Sequence, residues 1–414
     1  MLIENRNKKL MFITVGTGKD GKDIAHGISF SIKNQNPEVV VLIASETSAK
    51  ITFPFIKESL NKLGKQIQID EKLYNEIDDF EKLHNAYFKL VTDYLNKGFN
   101  KNNIAVDYTS GTKAMSAALV SAAITAEVGT ISYINGERKE GRVLSGTERA
   151  SSINPNSIFS AKLLNKFIGL FNSYQFGAAL SLLDDFEIHP KYIAQSNILK
   201  ELTLLFSCWD KFNFTLAWQY FLKIPPELIK EFSLKSKFEK LYSPLLMRLK
   251  EDSISVEKIN DLIFNAYRRA EEGKFDDAVA RLYRTLEMIG QLEFLNTFHC
   301  STDDAKLENL PINAKEFVMQ KKSSENKKIM LGLDLTFRTL NIVKNPLGVL
   351  YVEKYSIIKQ HLEKRNFSIL AHGSNPISQN SFQSFFSFIV DTFSVGPKGN
   401  IYPDFSFPKI NLTF

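Results

Sequence analysis

The residue pattern predicts an α/β domain built on a doubly wound parallel sheet, then an all-α connector and an all-α carboxy-terminal domain. Three observations carry this reading. Short apolar runs alternate with helix-period segments up to about residue 150, no convincing strand pattern follows, and the remainder repeats apolar residues, many of them Phe, at three- and four-residue steps. At 414 residues the chain is too long for one ordinary core, and we read it as residues 1–150, 151–253 and 254–414. Hydrophobic residues at 44% and charged residues at 24% are the balance of a soluble globular protein and exclude a disordered one. The 33 Phe point to aromatic-rich helical cores or to an exposed dimer surface.

Leu10 to Val15 reads as a buried strand, followed by Gly16-Thr17-Gly18-Lys19-Asp20-Gly21-Lys22-Asp23 and a helix from about Ile24. This loop departs from the phosphate-binding pattern G-x-x-x-x-G-K-[S/T] at one residue. Asp23 stands where a magnesium-binding hydroxyl belongs, and its carboxylate would repel phosphate, which argues against nucleotide hydrolysis there. Gly16, Thr17 and Gly18 are better read as one wall of a ligand site. Val39 to Ala44 is a second buried strand, Ser45 to Ser48 leads into a helix from about Lys50 to Leu63, and Gln66 to Asp70 alternates as a third strand. Ile77, Phe80, Leu83, Tyr87, Leu90 and Tyr94 mark an amphipathic helix whose polar side carries His84. Asn103 to Tyr108 and Gly129 to Asn135 are further strands. Arg142 to Ser145 is expected to form a hairpin with the latter and close the sheet, and Ser151 to Asn156 has the composition of a linker.

The strongest local signal is the turn Thr109-Ser110-Gly111-Thr112-Lys113, between the strand ending at Tyr108 and a small-residue helix from Thr112 to Ala126. Ser110 or Thr109 can cap that helix, Gly111 admits a ligand close to the backbone, and Thr112 and Lys113 add a hydroxyl and a cation at the positive end of its dipole. At the carboxyl end of a strand in an open α/β sheet, this is an anion site. Asp107-Tyr108-Thr109-Ser110-Gly111-Thr112-Lys113-Ala114-Met115 with its Ala-rich helix resembles the signature of CRISPR-associated Rossmann-fold (CARF) sensor domains. The resemblance implies a Rossmann-like fold for residues 1–150 and a cyclic oligoadenylate as ligand, held by Gly16, Thr17, Gly18 and Thr109 to Lys113.

From Phe159 to about Tyr242 the pattern is helical. One Phe176-Gly177-Ala178-Ala179 hairpin has no second copy at a fixed period, so this segment is a connector with Trp209 and Trp218 in its core. Two long helices follow, Asp261 to Glu272 and Asp276 to Phe298, joined at Gly273-Lys274. Arg281, Arg284 and Gln291 share a stripe on the second, with Glu287 beside it; such a stripe faces either a cleft or solvent. Lys321 to Lys328 reads as a solvated loop. Val352 to Ala371 reads as a helix with Arg365 on it and His372 at its carboxyl end, where the dipole favours an imidazolium. Seven residues make two turns, so Arg365 and His372 would share a face about 10 Å apart, and Gly373-Ser-Asn-Pro stops the helix.

Arg-x6-His fits the R-x4-6-H motif of HEPN ribonucleases, and the Phe-rich final helix after it lies where such a domain would place one. With a CARF-like sensor at the other end, the chain resembles the ancillary ribonucleases of type III CRISPR defence. That resemblance implies a homodimer that binds a cyclic oligoadenylate across its sensor domains and then cuts single-stranded RNA with Arg365 and His372. It implies no metal or cofactor, and Arg284 and Glu287 are candidates for orienting the site. A net charge of +6 and a pI near 8.9 permit a polyanionic partner. Cys208 and Cys300 stand apart with no metal-ligand spacing, and no signal or membrane-length apolar run is present, so a cytoplasmic protein without membrane or DNA partners is expected. Two other readings stay open: a ligand-binding regulator with a non-catalytic helical domain, and a phosphohydrolase dependent on Lys22.

Overall fold

The computed structural model describes residues 5–19, 21–62, 66–139, 142–143, 146–184, 186–225, 228–230, 232–321, 329–371, 373–394 and 405–414. His372, Asp20 and residues 322–328 of the expected solvated loop therefore lie outside the described residues. The chain divides into two compact units, Met1–Lys162 with Ile188–Tyr192, and Leu163–Glu187 with Ile193–Phe414.

In the first unit, β1 (Leu10–Val15), β2 (Val39–Ala44), β3 (Gln68–Leu73), β4 (Ile104–Asp107) and β5 (Thr130–Asn135) alternate with α1 (Lys22–Gln35), α2 (Glu46–Asn61), α3 (Phe80–Asn96) and α4 (Lys113–Thr125). Two short strands, β6 (Arg138–Lys139) and β7 (Arg142–Val143), pair only with each other, and β8 (Arg149–Ile153) returns to the main sheet. The order is β3-β2-β1-β4-β5-β8, parallel except for β8. β1 and β2 are buried at every position, which is why they read as unbroken apolar runs. Their alternate side chains feed two cores: Leu10, Phe12, Val39 and Val41 pack with α3 and α4, while Met11, Ile13, Val40 and Leu42 pack with α1 and α2.

The expected closing hairpin is not what closes the sheet. β8 does so, antiparallel to β5 with Ile131 opposite Ile153, and it occupies the stretch whose composition suggested a linker. All five of its residues are exposed. An edge strand held by backbone hydrogen bonds needs no apolar alternation, so the sequence carried no strand signal there.

The second unit is helical. Its first helices are α5 (Asn156–Asn172, which enters from the first unit), α6 (Phe176–Asp184), α7 (Ile193–Asp210), α8 (Phe214–Lys223), the single turn α9 (Lys235–Lys237) and α10 (Ser243–Leu249). Next come α11 (Val256–Glu271) and α12 (Phe275–Phe298), a hairpin turning through Gly273 at φ +75°. The series ends with α13 (Ile312–Lys321), α14 (Leu333–Ile342), α15 (Pro346–Glu353), α16 (Tyr355–Asn366) and α17 (Gln379–Phe393). Trp209 is buried as expected; Trp218 is only half-buried, stacked on Phe221 with Lys250 across its face. The last ten residues leave the α11–α17 core and lie on the connector. Phe405, Phe407 and Ile410 are buried, and Asn172 fixes Ile410 through both its backbone N–H and its carbonyl.

Two candidate functional sites

The first site sits where the strand order reverses. β1 and β4 are neighbours, yet α1 covers one face and α4 the other, so the carboxyl ends of these strands border the crevice in which such sheets bind ligands. The two loops meet backbone to backbone. A Cβ on Gly16 would lie 3.1 Å from the Gly111 nitrogen, and one on Gly111, at φ +100°, would lie 3.1 Å from Thr14 Cβ. The Gly16 N–H donates to Ser110 Oγ at 2.9 Å, and Thr52 Oγ1 donates to the Gly16 carbonyl at 2.8 Å. Beneath the turn, the buried Asp107 carboxylate accepts from the Thr109 N–H and from the Ser132 and Ser31 hydroxyls.

Around this junction lies an open cavity of about 710 Å³ that brings together Gly16, Thr17, Gly18, Thr109, Ser110, Gly111 and Thr112 with Ser45 to Ser48, Asn75 and Ile77. Three expectations change. The helix cap is Thr112, whose hydroxyl accepts from the Met115 N–H at 3.1 Å, because Ser110 is committed to Gly16 and Thr109 accepts from the Ile134 N–H. Lys113 is exposed on the first turn of α4 and is not among the lining residues. Lys22 lies over the Phe55 ring at 5.6 Å and does not line the cavity either, which removes the geometric basis for the phosphohydrolase reading.

The second site is built on α12 and α16. Here too the helix expectation is corrected. Between Val352 and Ala371 the chain breaks at Lys354, and α16 ends at Asn366 rather than running to Ala371. Beyond it the backbone doubles back: Asn375 N–H reaches the Phe367 carbonyl, Ile369 N–H donates to the Asn375 carbonyl at 3.2 Å, and Gly373 N–H to the Ser368 carbonyl at 3.1 Å. Gly373 does more than stop a helix. A Cβ there would lie 1.9 Å from the Phe367 carbonyl oxygen, so only glycine fits against the end of α16. The helix on which Arg365 is expected to pair with His372 thus ends short of that position. The Ala371 and Gly373 N–H groups both donate to the Ser368 carbonyl.

Arg365 is half-buried, its guanidinium 4.4 Å from the centre of the Tyr283 ring on α12. One turn on, Glu287 faces the Tyr283 hydroxyl and lies 3.3 Å from Arg284. Burial first, and then the Glu287 charge and hydrogen bond, hold the Tyr283 phenol above its ordinary pKa, so it stays neutral. The suggested stripe on α12 thus divides. Arg284 and Glu287, like Arg365, act on the Tyr283 phenol, whereas Arg281 turns back to Asn265 on α11 and to Asp277. His361, one turn before Arg365, is buried against Phe385 at 4.8 Å, and burial followed by the Lys364 charge lowers its pKa. It anchors α16 as a neutral ring.

Residues 249–395 match the family model of the Csm6 HEPN domain, and residues 159–244 match that of the Csm6 6H domain. Together they span more than half of the chain. The chain belongs to the Csm6-type CARF–HEPN proteins. Among solved structures, Enterococcus italicus Csm6 bound to cyclic hexa-2'-fluoro-hexa-dAMP matches with a TM-score of 0.64 and 13% identity, over 93% of each chain. Comparison with curated protein sequences returns no match. A Csm6-type frame accounts for both ends: a Rossmann-like sheet first, then a helical region with the HEPN domain.

Within this Csm6-type chain, sequence reasoning missed Ser45 to Ser48 and Tyr283. The first had a usable signal, since Ser45 follows β2 as Gly16 follows β1 and caps α2. Tyr283 had none, because its partner Arg365 is distant in sequence.

Proposed function

We propose that this protein is a cyclic oligoadenylate-activated, metal-independent endoribonuclease of type III CRISPR defence that cuts single-stranded RNA as a homodimer. The observation that carries this reading is the Arg365 guanidinium in the last turn of α16, held against Tyr283, with Arg365 and His372 both inside the segment matched to the Csm6 HEPN domain. The cavity at the β1–β4 crevice, open to backbone and hydroxyl groups at two helix amino termini, suits a phosphodiester ring. A Csm6 bound to a six-membered cyclic adenylate analogue has the same fold and makes the six-membered ring the first activator to try.

The chemistry follows from RNA itself. A ribose 2′-oxygen attacks the adjacent phosphorus; the new O–P bond forms as the bond to the 5′-oxygen breaks, leaving a 2′,3′-cyclic phosphate and a 5′-hydroxyl. His372 moves the protons, and Arg365 from each protomer neutralises charge on the phosphoryl oxygens. DNA lacks the nucleophile and is spared. Phe367, Ile369 and Leu370 are exposed by 66%, 57% and 59%, and this apolar trio beside Arg365 supports pairing of two protomers at the site.

The test is cleavage of a fluorogenic single-stranded RNA in EDTA, on adding cyclic tri-, tetra- or hexa-adenylate to the wild type and to His372→Ala. Cleavage with one ring size, lost in the variant while ring affinity persists, is the expected result. Binding of a ring without cleavage by the wild type would establish the regulator instead.

A further inference from the structure

Arginines in the carboxy-terminal unit are generally held by their edges. Arg338 donates to both oxygens of Asp334, Arg268 and Arg269 donate to Asp210, and Arg281 donates to Asp277 and Asn265. Each of these guanidinium groups gives at least one N–H donor, and its charge, to a carboxylate, and where a ring also lies over the group, as Phe407 over Arg268 and Tyr355 over Arg338, it adds to that ion pair. Arg365 is treated differently. Its hydrogen bond is to its own neighbour, Asn366 Oδ1, at 3.1 Å, and what orders it is the face of Tyr283 at 4.4 Å. A guanidinium has five N–H donors in one plane. Contact through the face immobilises that plane and, with no carboxylate partner among the described residues, leaves the outward edge charged and able to fork onto phosphoryl oxygens.

We propose that Tyr283 is the positioning residue of the effector site, holding Arg365 by its aromatic face so that the N–H edge is presented to the RNA phosphate. The inference rests on the ribonuclease reading above. Glu287 lies near enough to the Tyr283 hydroxyl to help raise its pKa, and Arg284 pairs with Glu287 at 3.3 Å, so that the carboxylate is drawn along α12 rather than onto Arg365. The two polar residues of α12 thereby pair with each other and leave Arg365 to the tyrosine ring. The hydroxyl itself is dispensable for the contact; the ring is not.

A ring-face contact of about 0.5–2 kcal/mol corresponds to roughly 2–30-fold. We therefore expect Tyr283→Leu to lower kcat/KM for RNA by about 10-fold at saturating cyclic oligoadenylate, while Tyr283→Phe and Tyr283→Trp stay within about 3-fold of wild type. Activator affinity and the pH profile of cleavage stay unchanged, since Tyr283 moves no proton. A second readout needs no cleavage: affinity for a 2′-O-methyl RNA, which cannot be cut, falls in Tyr283→Leu and is preserved in Tyr283→Phe. Leu matching wild type in both assays, or Phe falling as far as Leu, overturns the proposal. If the wild type cuts no RNA, the ribonuclease reading fails, and the binding series still decides for or against Tyr283.

Discussion

Asp261 is wholly enclosed in the carboxy-terminal unit, accepting from Trp209 Nε1 at 2.8 Å and standing 3.9 Å from Arg268. The nearby Asp210 takes the direct bonds of Arg268 and Arg269, so Asp261 loses its hydration with weaker repayment. Burial is the largest influence on it, outweighing Arg268 and the Trp209 hydrogen bond, and its pKa rises to about 6. The direction of linkage follows. A carboxyl that holds its proton more tightly in the folded chain than in the unfolded one, where it titrates near 3.9, loses stability as pH rises through the interval from about 4 to about 6. Asp261→Asn keeps an oxygen for Trp209 and removes the charge. Its melting temperature is expected to exceed that of wild type at pH 7 and to converge on it below about pH 4; a gap that widened toward acid would contradict the assignment.

At the scale of elements, legibility follows burial. β1 and β2 are plain because both of their faces are covered, and the α11–α12 hairpin is plain because its turn glycine sits between two apolar stripes. β8 is hidden because it is exposed at every position. The end of α16 misleads for the opposite reason: Phe367, Ile369 and Leu370 continue an apolar run that looks helical, yet all three point to solvent and the chain folds back instead. That fold-back depends on one residue without a side chain. Gly373→Ala would drive a methyl group into the Phe367 carbonyl and displace the backbone on both sides of residue 372. The expected outcome is a loss of RNA cleavage of at least about 100-fold with cyclic oligoadenylate affinity intact, since a displacement of about 1 Å at a reacting group costs on that order. Wild-type cleavage by Gly373→Ala would mean that this loop geometry is not the working one.

Across the whole carboxy-terminal unit, the feature least visible in the sequence is the return of the final residues to the connector. Asn165 and Asn172 each grip the tail through a backbone N–H and a carbonyl, and Phe407 enters a cluster with Phe206 at 4.8 Å and Trp209 at 5.4 Å. No local pattern links positions so far apart in the chain. The structure gives the tail a specific load. Arg268 is almost fully buried, its two terminal nitrogens find no hydrogen-bond partner among the described residues, and the Phe407 ring covers its guanidinium at 3.7 Å. Removing that ring would leave a cavity and an exposed edge of buried charge together. Phe407→Ala is therefore expected to cost about 3–5 kcal/mol, seen as a melting temperature roughly 6–20 °C lower for a unit of this size. Phe407→Leu should lose less by volume but nearly as much through the lost ring face. If Leu matched wild type, the tail would be held by apolar packing alone, and the arginine would have to be stabilised through Asp210 without its aromatic cover.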